Sequence, residues 1–160
     1  MESHNQKHEA VQRPLYSVSG EAGQVGAIGR ERRGRILIVE DDEQVRKPMR
    51  LNLTKAGYDV VEVGTGADAI EFLTRGENAL MVDTLLCDIR MPGVTGIETI
   101  QHVRAHHPSI PIVVLTGYPD VELAASLMKQ GVLDYLVKPI TREELLTVIE
   151  RSVDQCKATR

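Results

Sequence analysis

The stretch Ile36-Leu37-Ile38-Val39-Glu40-Asp41-Asp42-Glu43 runs four consecutive apolar residues directly into four acidic ones. An apolar run of strand length with no polar interruption reads as a β-strand buried on both faces, the environment of a parallel sheet. Working outward, residues 58–63, 84–87, 112–115 and 132–137 form four further runs of the same kind. Segments of helical period follow each of them, at about 43–56, 65–75, 96–106, 120–130 and 141–153. Two of these helices open with a capping box, Thr95-x-x-Glu98 and Thr141-x-x-Glu144, in which the Thr hydroxyl accepts the N–H three residues on. Five strands alternating with five helices imply a doubly wound α/β fold, a five-stranded parallel sheet covered on both sides. Pro48 runs against this regularity, because inside a helix it removes a hydrogen bond and costs ~3 kcal/mol. The first helix is therefore expected to start late or kink.

The rest of the chain bounds the organisation. With 160 residues there is room for one domain and a tail. The expected division is a flexible N-terminal tail over 1–33, a folded domain over 34–155 and a short C-terminal tail over 156–160. The tail is polar, with Gly20, Gly23, Gly26 and Gly29 at a spacing of three but without the proline of a collagen repeat. Its basic cluster, Arg30, Arg32, Arg33 and Arg35, is interrupted by Glu31 and reads as solvated charge. Hydrophobic residues make up 42% of the chain, enough for a real core, which must be aliphatic because there is one Phe and no Trp. A net charge of -4 disfavours direct binding to a nucleic-acid backbone. Cys87 and Cys156 are too far apart to suggest a disulfide framework, and neither a signal peptide nor a membrane span is visible. A cytoplasmic protein is expected.

In doubly wound folds, ligands bind beyond the carboxyl ends of the strands. Here those ends carry Glu40-Asp41-Asp42-Glu43, then Asp88, Thr116 and Lys138. Singly, each has a plain structural explanation: an acidic run caps a helix, and a lone Asp follows a strand in a turn. Jointly, they place carboxylates, a hydroxyl and a lysine at one edge of one sheet. Converging carboxylates repel, so a cation is required, and Mg²⁺ suits one or two carboxylates with phosphate oxygens. An Asp carboxylate can attack phosphorus to give an acyl phosphate, whose equatorial oxygens need a metal, a cation and hydroxyl donors. Metal on Asp41 and Asp88, the Lys138 ammonium and the Thr116 hydroxyl would supply that set. Lysine suits a site that needs one point charge.

The stretches ILIVEDDEQVR (36–46), LLCDIRMPGVTGIE (85–98), IPIVVLTGY (110–118) and GVLDYLVKPI followed by TREEL (131–145) resemble the receiver domains of two-component response regulators. The resemblance spans residues 35 to about 154 and is strongest to receivers of nitrogen-regulation-type activators. It implies a flavodoxin-like fold with strand order 2-1-3-4-5, Asp88 as phosphoacceptor, and Mg²⁺ held by Glu40, Asp41, Asp88 and the backbone carbonyl of Arg90. Asp42 is implied to be peripheral, and Thr116 and Lys138 to contact the phosphate. Tyr135 occupies the place of a switch aromatic that turns inward as Thr116 moves. Lys138-Pro139 is expected to be cis, aiming the lysine into the site. The implied partners are a sensor histidine kinase or phosphotransfer protein, a downstream protein effector, and a second copy in a phosphorylation-dependent dimer. The surface implied for them is the fourth helix, fifth strand and fifth helix. No effector domain is expected after the fifth helix, so output would pass through a partner.

Several residues depart from the family pattern or need separate weighing. Val94-Thr95 replaces a common Met-Asp pair, which would change partner contacts of that loop. Cys87 reads as buried filler. His106 and His107 end a helix, suit its dipole, and are not read as metal ligands. Arg90 and Tyr118, each two residues beyond Asp88 and Thr116, should flank the path of an attacking water and slow self-dephosphorylation. Two rival classes are weighed: an interaction module indifferent to phosphorylation, and a phosphatase or nucleotide-binding enzyme. The second would need an Asp-x-Asp after the first strand or a Gly-rich phosphate loop there, and has neither.

Overall fold

The computed structural model describes residues 17–19 and 31–160, apart from Pro92 and Val94. The elements in chain order are β1 Ser17–Ser19, β2 Arg35–Val39, α1 Glu43–Lys55, β3 Asp59–Val63, α2 Gly66–Thr74, α3 Asn78–Met81, β4 Thr84–Asp88, α4 Gly96–His106, β5 Ile112–Thr116, α5 Val121–Lys129, β6 Asp134–Val137 and α6 Arg142–Ala158. The sheet order is β1-β3-β2-β4-β5-β6, and every neighbour from β3 to β6 is parallel. Counted among themselves, the five parallel strands follow the expected order 2-1-3-4-5.

Alternation along each strand divides the core into two layers. Leu37, Val39, Leu85, Cys87, Ile112 and Val114 face α2 and α4, packing with Phe72, Leu73, Ile100 and Val103. Ile36, Ile38, Leu86, Val113 and Leu115 face α1 and α6, packing with Met49, Leu53, Leu145 and Ile149. Residues 36–39 are fully buried, as expected of a central parallel strand.

Four local expectations need correction. The helix α1 starts at Glu43, so it does not start late, and continues past Pro48 to Lys55, anchored to the sheet by buried Met49 and Leu53 one and five residues after the proline. Tertiary burial outweighs the local cost there. β6 begins at Asp134 rather than residue 132, because Gly131, at φ +92, and Val132 close α5 in a Schellman turn: their N–H groups donate to Met128 O and Leu127 O, both at 3.1 Å. It is an edge strand in which only Leu136 is buried, so burial on both faces fails for it. At the chain's end α6 extends to Ala158 with Cys156 buried, so residues 156–158 belong to the helix rather than to a tail.

The fourth correction is β1, a sixth strand from the stretch read as a tail. It pairs antiparallel with β3, Ser17 opposite Glu62 and Ser19 opposite Val60. The outer edge of β3 offers unpaired N–H and C=O groups to any extended segment, and three residues are too few to leave a periodic signal. The glycines at 20–29 and Arg30 lie outside the described residues, as does Val94. Arg32, Arg33 and Arg35 are not merely solvated: they pair with Asp59, Glu150 and Asp59 respectively. Among the described residues no helix is long and apolar enough to cross a membrane.

Candidate functional site

Strand register brings the polar strand ends together. Val39 pairs with Cys87, which sets Glu40 and Asp88 side by side one residue later. Thr116 pairs with Val137, and the Lys138 N–H donates to Thr116 O at 2.7 Å. The Lys138-Pro139 peptide bond is cis, as anticipated.

At this edge one ammonium faces a group of carboxylates. Lys138 Nζ donates to Glu40 Oε2 at 2.7 Å and to Asp88 Oδ2 at 3.1 Å. Glu40 and Asp88 are almost wholly buried, whereas Asp41 is exposed, and all three offer oxygens within 4.8 Å of one another. The N–H of Arg90 donates to Asp88 Oδ1 at 3.0 Å, and the N–H of Asp42 to Glu40 Oε1 at 3.2 Å. Asp42 itself caps α1 by accepting the Gln44 N–H at 2.8 Å, which accounts for it structurally.

Burial, with Asp88 repelling it, pushes Glu40 from its ordinary 4.5 up to about 7, against the lowering effect of the bond to Lys138. For Lys138, burial acts downward, but its bonds to Glu40 and Asp88 outweigh this and raise it, so it stays charged. Three carboxylates against one ammonium leave the pocket short of positive charge. An all-oxygen donor set with that deficit fits a hard divalent cation such as Mg²⁺.

The remaining expected residues lie nearby but are otherwise engaged. Thr116 is fully buried, its hydroxyl accepting the Tyr118 N–H at 3.0 Å and donating to Tyr118 O at 3.1 Å. Tyr135 is half-buried against the α4 side of the core, and its hydroxyl accepts the Asp120 N–H at 3.3 Å. The Arg90 guanidinium lies 4.5 Å over the ring of Tyr118. Cys87 is fully buried on the opposite face of β4, and burial raises its thiol far above the usual range.

Two residues escaped the sequence reading. A Cβ on Gly96 would sit 2.0 Å from Asp88 O and 2.4 Å from Ile89 Cα, so only glycine lets α4 start against the Asp88 backbone. Arg46 reaches back from α1 to donate to Glu40 O at 2.6 Å, fixing the strand end that carries the buried acid. The Gly93-x-x-Gly96 spacing hinted at the first; nothing local marks the second.

A doubly wound sheet with acids and a lysine gathered at its carboxyl edge has them where folds of this class bind ligands. The family model "Response regulator receiver domain" matches residues 36–150, and the chain belongs to that family, the receivers of two-component signalling. It is similar to the DNA-binding transcriptional regulator NtrC of Escherichia coli K12, 33% identical over 76% of this chain and 25% of that protein. The luminescence regulatory protein LuxO of Vibrio campbellii is 35% identical over 77% of this chain and 26% of that protein. The chain thus spans about a quarter of the length of these relatives. Among solved structures, the signal receiver domain of a LuxO repressor protein from Vibrio parahaemolyticus superposes with a TM-score of 0.73 at 25% identity, covering 79% of this chain and 94% of that one.

Proposed function

We propose that this receiver takes a phosphoryl group onto Asp88 in a Mg²⁺-dependent reaction and that the modified state is the signal. The observation that carries the reading is the gathering of Glu40, Asp41 and Asp88 at one site, with Glu40 Oε2 and Asp88 Oδ2 both bonded to the Lys138 ammonium. Glu40, Asp41, Asp88 and the Arg90 carbonyl would hold the ion, which when bound supplies charge neutralisation of the phosphoryl oxygens. An Asp88 oxygen attacks phosphorus, the bond from phosphorus to the donor's leaving group breaks, and an acyl phosphate results. Lys138 then shifts its charge from the Asp88 carboxylate to a phosphoryl oxygen. Thr116 leaves its turn with Tyr118 to donate its hydroxyl to another, and Tyr135 turns into the vacated space, biasing a two-state element.

The donor in this reading is a sensor histidine kinase or phosphotransfer protein in the cytoplasm, and the output is a protein effector or a second copy rather than nucleic acid. The receiving surface is α5, β6 and α6, where Val121, Met128 and Val137 are exposed. Intact mass after incubation with a small acyl-phosphate donor and Mg²⁺ tests the chemistry. One phosphoryl adduct is expected, absent without Mg²⁺ and absent in Asp88→Asn; an adduct surviving that substitution would refute the assignment. The Arg90–Tyr118 pair should slow hydrolysis by shielding the water path. Trimming both to Ala is expected to shorten the phosphoryl half-life several-fold, and an unchanged half-life would remove them from the mechanism.

A further inference from the structure

We propose that His102, His106 and His107, at the carboxyl end of α4, form a site for a borderline divalent transition cation, for which Zn²⁺ is the probe. The site is separate from the acidic pocket. His102 and His106 are one helical turn apart and stack at 4.1 Å between ring centroids, while His107 lies 6.4 Å and 6.5 Å from them. An i, i+4 pair of imidazoles on one helix face is a spacing that a single ion can bridge.

The hydrogen bonds favour ligation over ordinary surface histidines. The His106 Nδ1 lies 2.9 Å from His102 O, and since a carbonyl only accepts, that nitrogen carries the proton. Its Nε2 is left with the lone pair, the arrangement in which a backbone carbonyl orients a metal-bound imidazole. The Nε2 atoms of His102 and His107 are shielded from solvent and have no hydrogen-bond partner, so no hydrogen bond to these nitrogens holds either ring in its present orientation and each stands to gain a partner by turning toward an ion. Burial first, then the neighbouring imidazoles, lower His102 and His107, which keeps them neutral and able to ligate. Imidazole donors select a transition cation over Mg²⁺, whose preference is for oxygen. Because the stacked rings face each other, capture requires His102 and His107 to rotate toward the fixed His106; His102 and His107 are only half-buried, so such rotamer changes are accessible. Three imidazoles leave a fourth position for water.

Calorimetric titration of the full chain with Zn²⁺ in excess Mg²⁺, which saturates the carboxylates, tests this. One Zn²⁺ per chain is expected, with affinity reduced more than about ten-fold by His106→Gln and by His102→Gln. The double variant His4→Gln, His8→Gln, which alters the chain's other two histidines, should bind as the parent does. Circular dichroism of the variants should be unchanged, since His106 is exposed and Gln favours helix. No Zn²⁺ binding, or binding that persists when all three α4 histidines are replaced by Gln, would overturn the assignment.

Discussion

The two ends of the sheet bury acids equally well and treat them in opposite ways. At the amino end Asp59 and Asp83 are 4% and 6% exposed; at the carboxyl end Glu40 and Asp88 are 1% and 3% exposed. Arg35 donates to Asp59 Oδ2 at 2.8 Å and 2.6 Å, and Arg32 adds a third bond at 3.1 Å. Asp83 accepts the Arg35 N–H at 2.7 Å and lies 2.8 Å from Arg160 Nη1. There, arginines outnumber the carboxylates and clasp β2, β3 and the end of α6 together. At the other end Glu40 and Asp88 share Lys138, and the exposed Asp41 brings a third carboxylate within 4.8 Å of theirs. A buried acid whose charge is matched is a fastening, and one whose charge is unmatched is a demand that binding can meet.

Breaking the matched end should cost the most. Asp59→Ala leaves Arg35, largely buried, without its carboxylate, and a loss of about 3 kcal/mol is expected in urea unfolding. A change near zero would show that solvent takes over the arginine and that the contrast between the ends is weaker than drawn.

At the unmatched end, the raised Glu40, at about 7, must lose its proton for a metal to bind. Mg²⁺ affinity is therefore expected to fall about ten-fold between about pH 8 and about pH 6, read by calorimetry, with protons released on binding. A pH-independent affinity would mean that Glu40 is ionised throughout or takes no part.

Without metal the sign reverses. A carboxyl raised on folding contributes stability fully present below its unfolded value of 4.5 and lost as pH rises through about 7. Glu40→Gln removes that loss, so at about pH 8 the metal-free variant should exceed the parent by on the order of 1 kcal/mol, measured by thermal unfolding. Lower stability in the variant would instead make the Lys138–Glu40 pair a fastening like those at the amino end.

Much of this was legible in order and composition. Apolar runs alternating with helical periods fix a parallel α/β sheet, because continuous burial and period are local properties. The acids, Thr116 and Lys138 were identified because each ends or follows a strand, and in-register parallel strands put their ends at one edge. What stayed hidden depends on contacts distant in sequence. The Arg32 and Arg35 clasp on Asp59, the passage of α1 through Pro48 and the pairing of Ser17–Ser19 with β3 are each decided by a partner the local pattern does not name.

The sequence by itself determined the layers, the strand ends and the residues that could act there, since residue type and period are written along the chain. Only the tertiary structure decided which acids are matched, by setting Asp59 against two arginines, and Glu40 and Asp88, with Asp41 beside them, against one lysine. Charge balance is a sum over neighbours in space, and at the amino end those neighbours are Arg32 ahead of β2, Arg35 within it and Arg160 beyond α6.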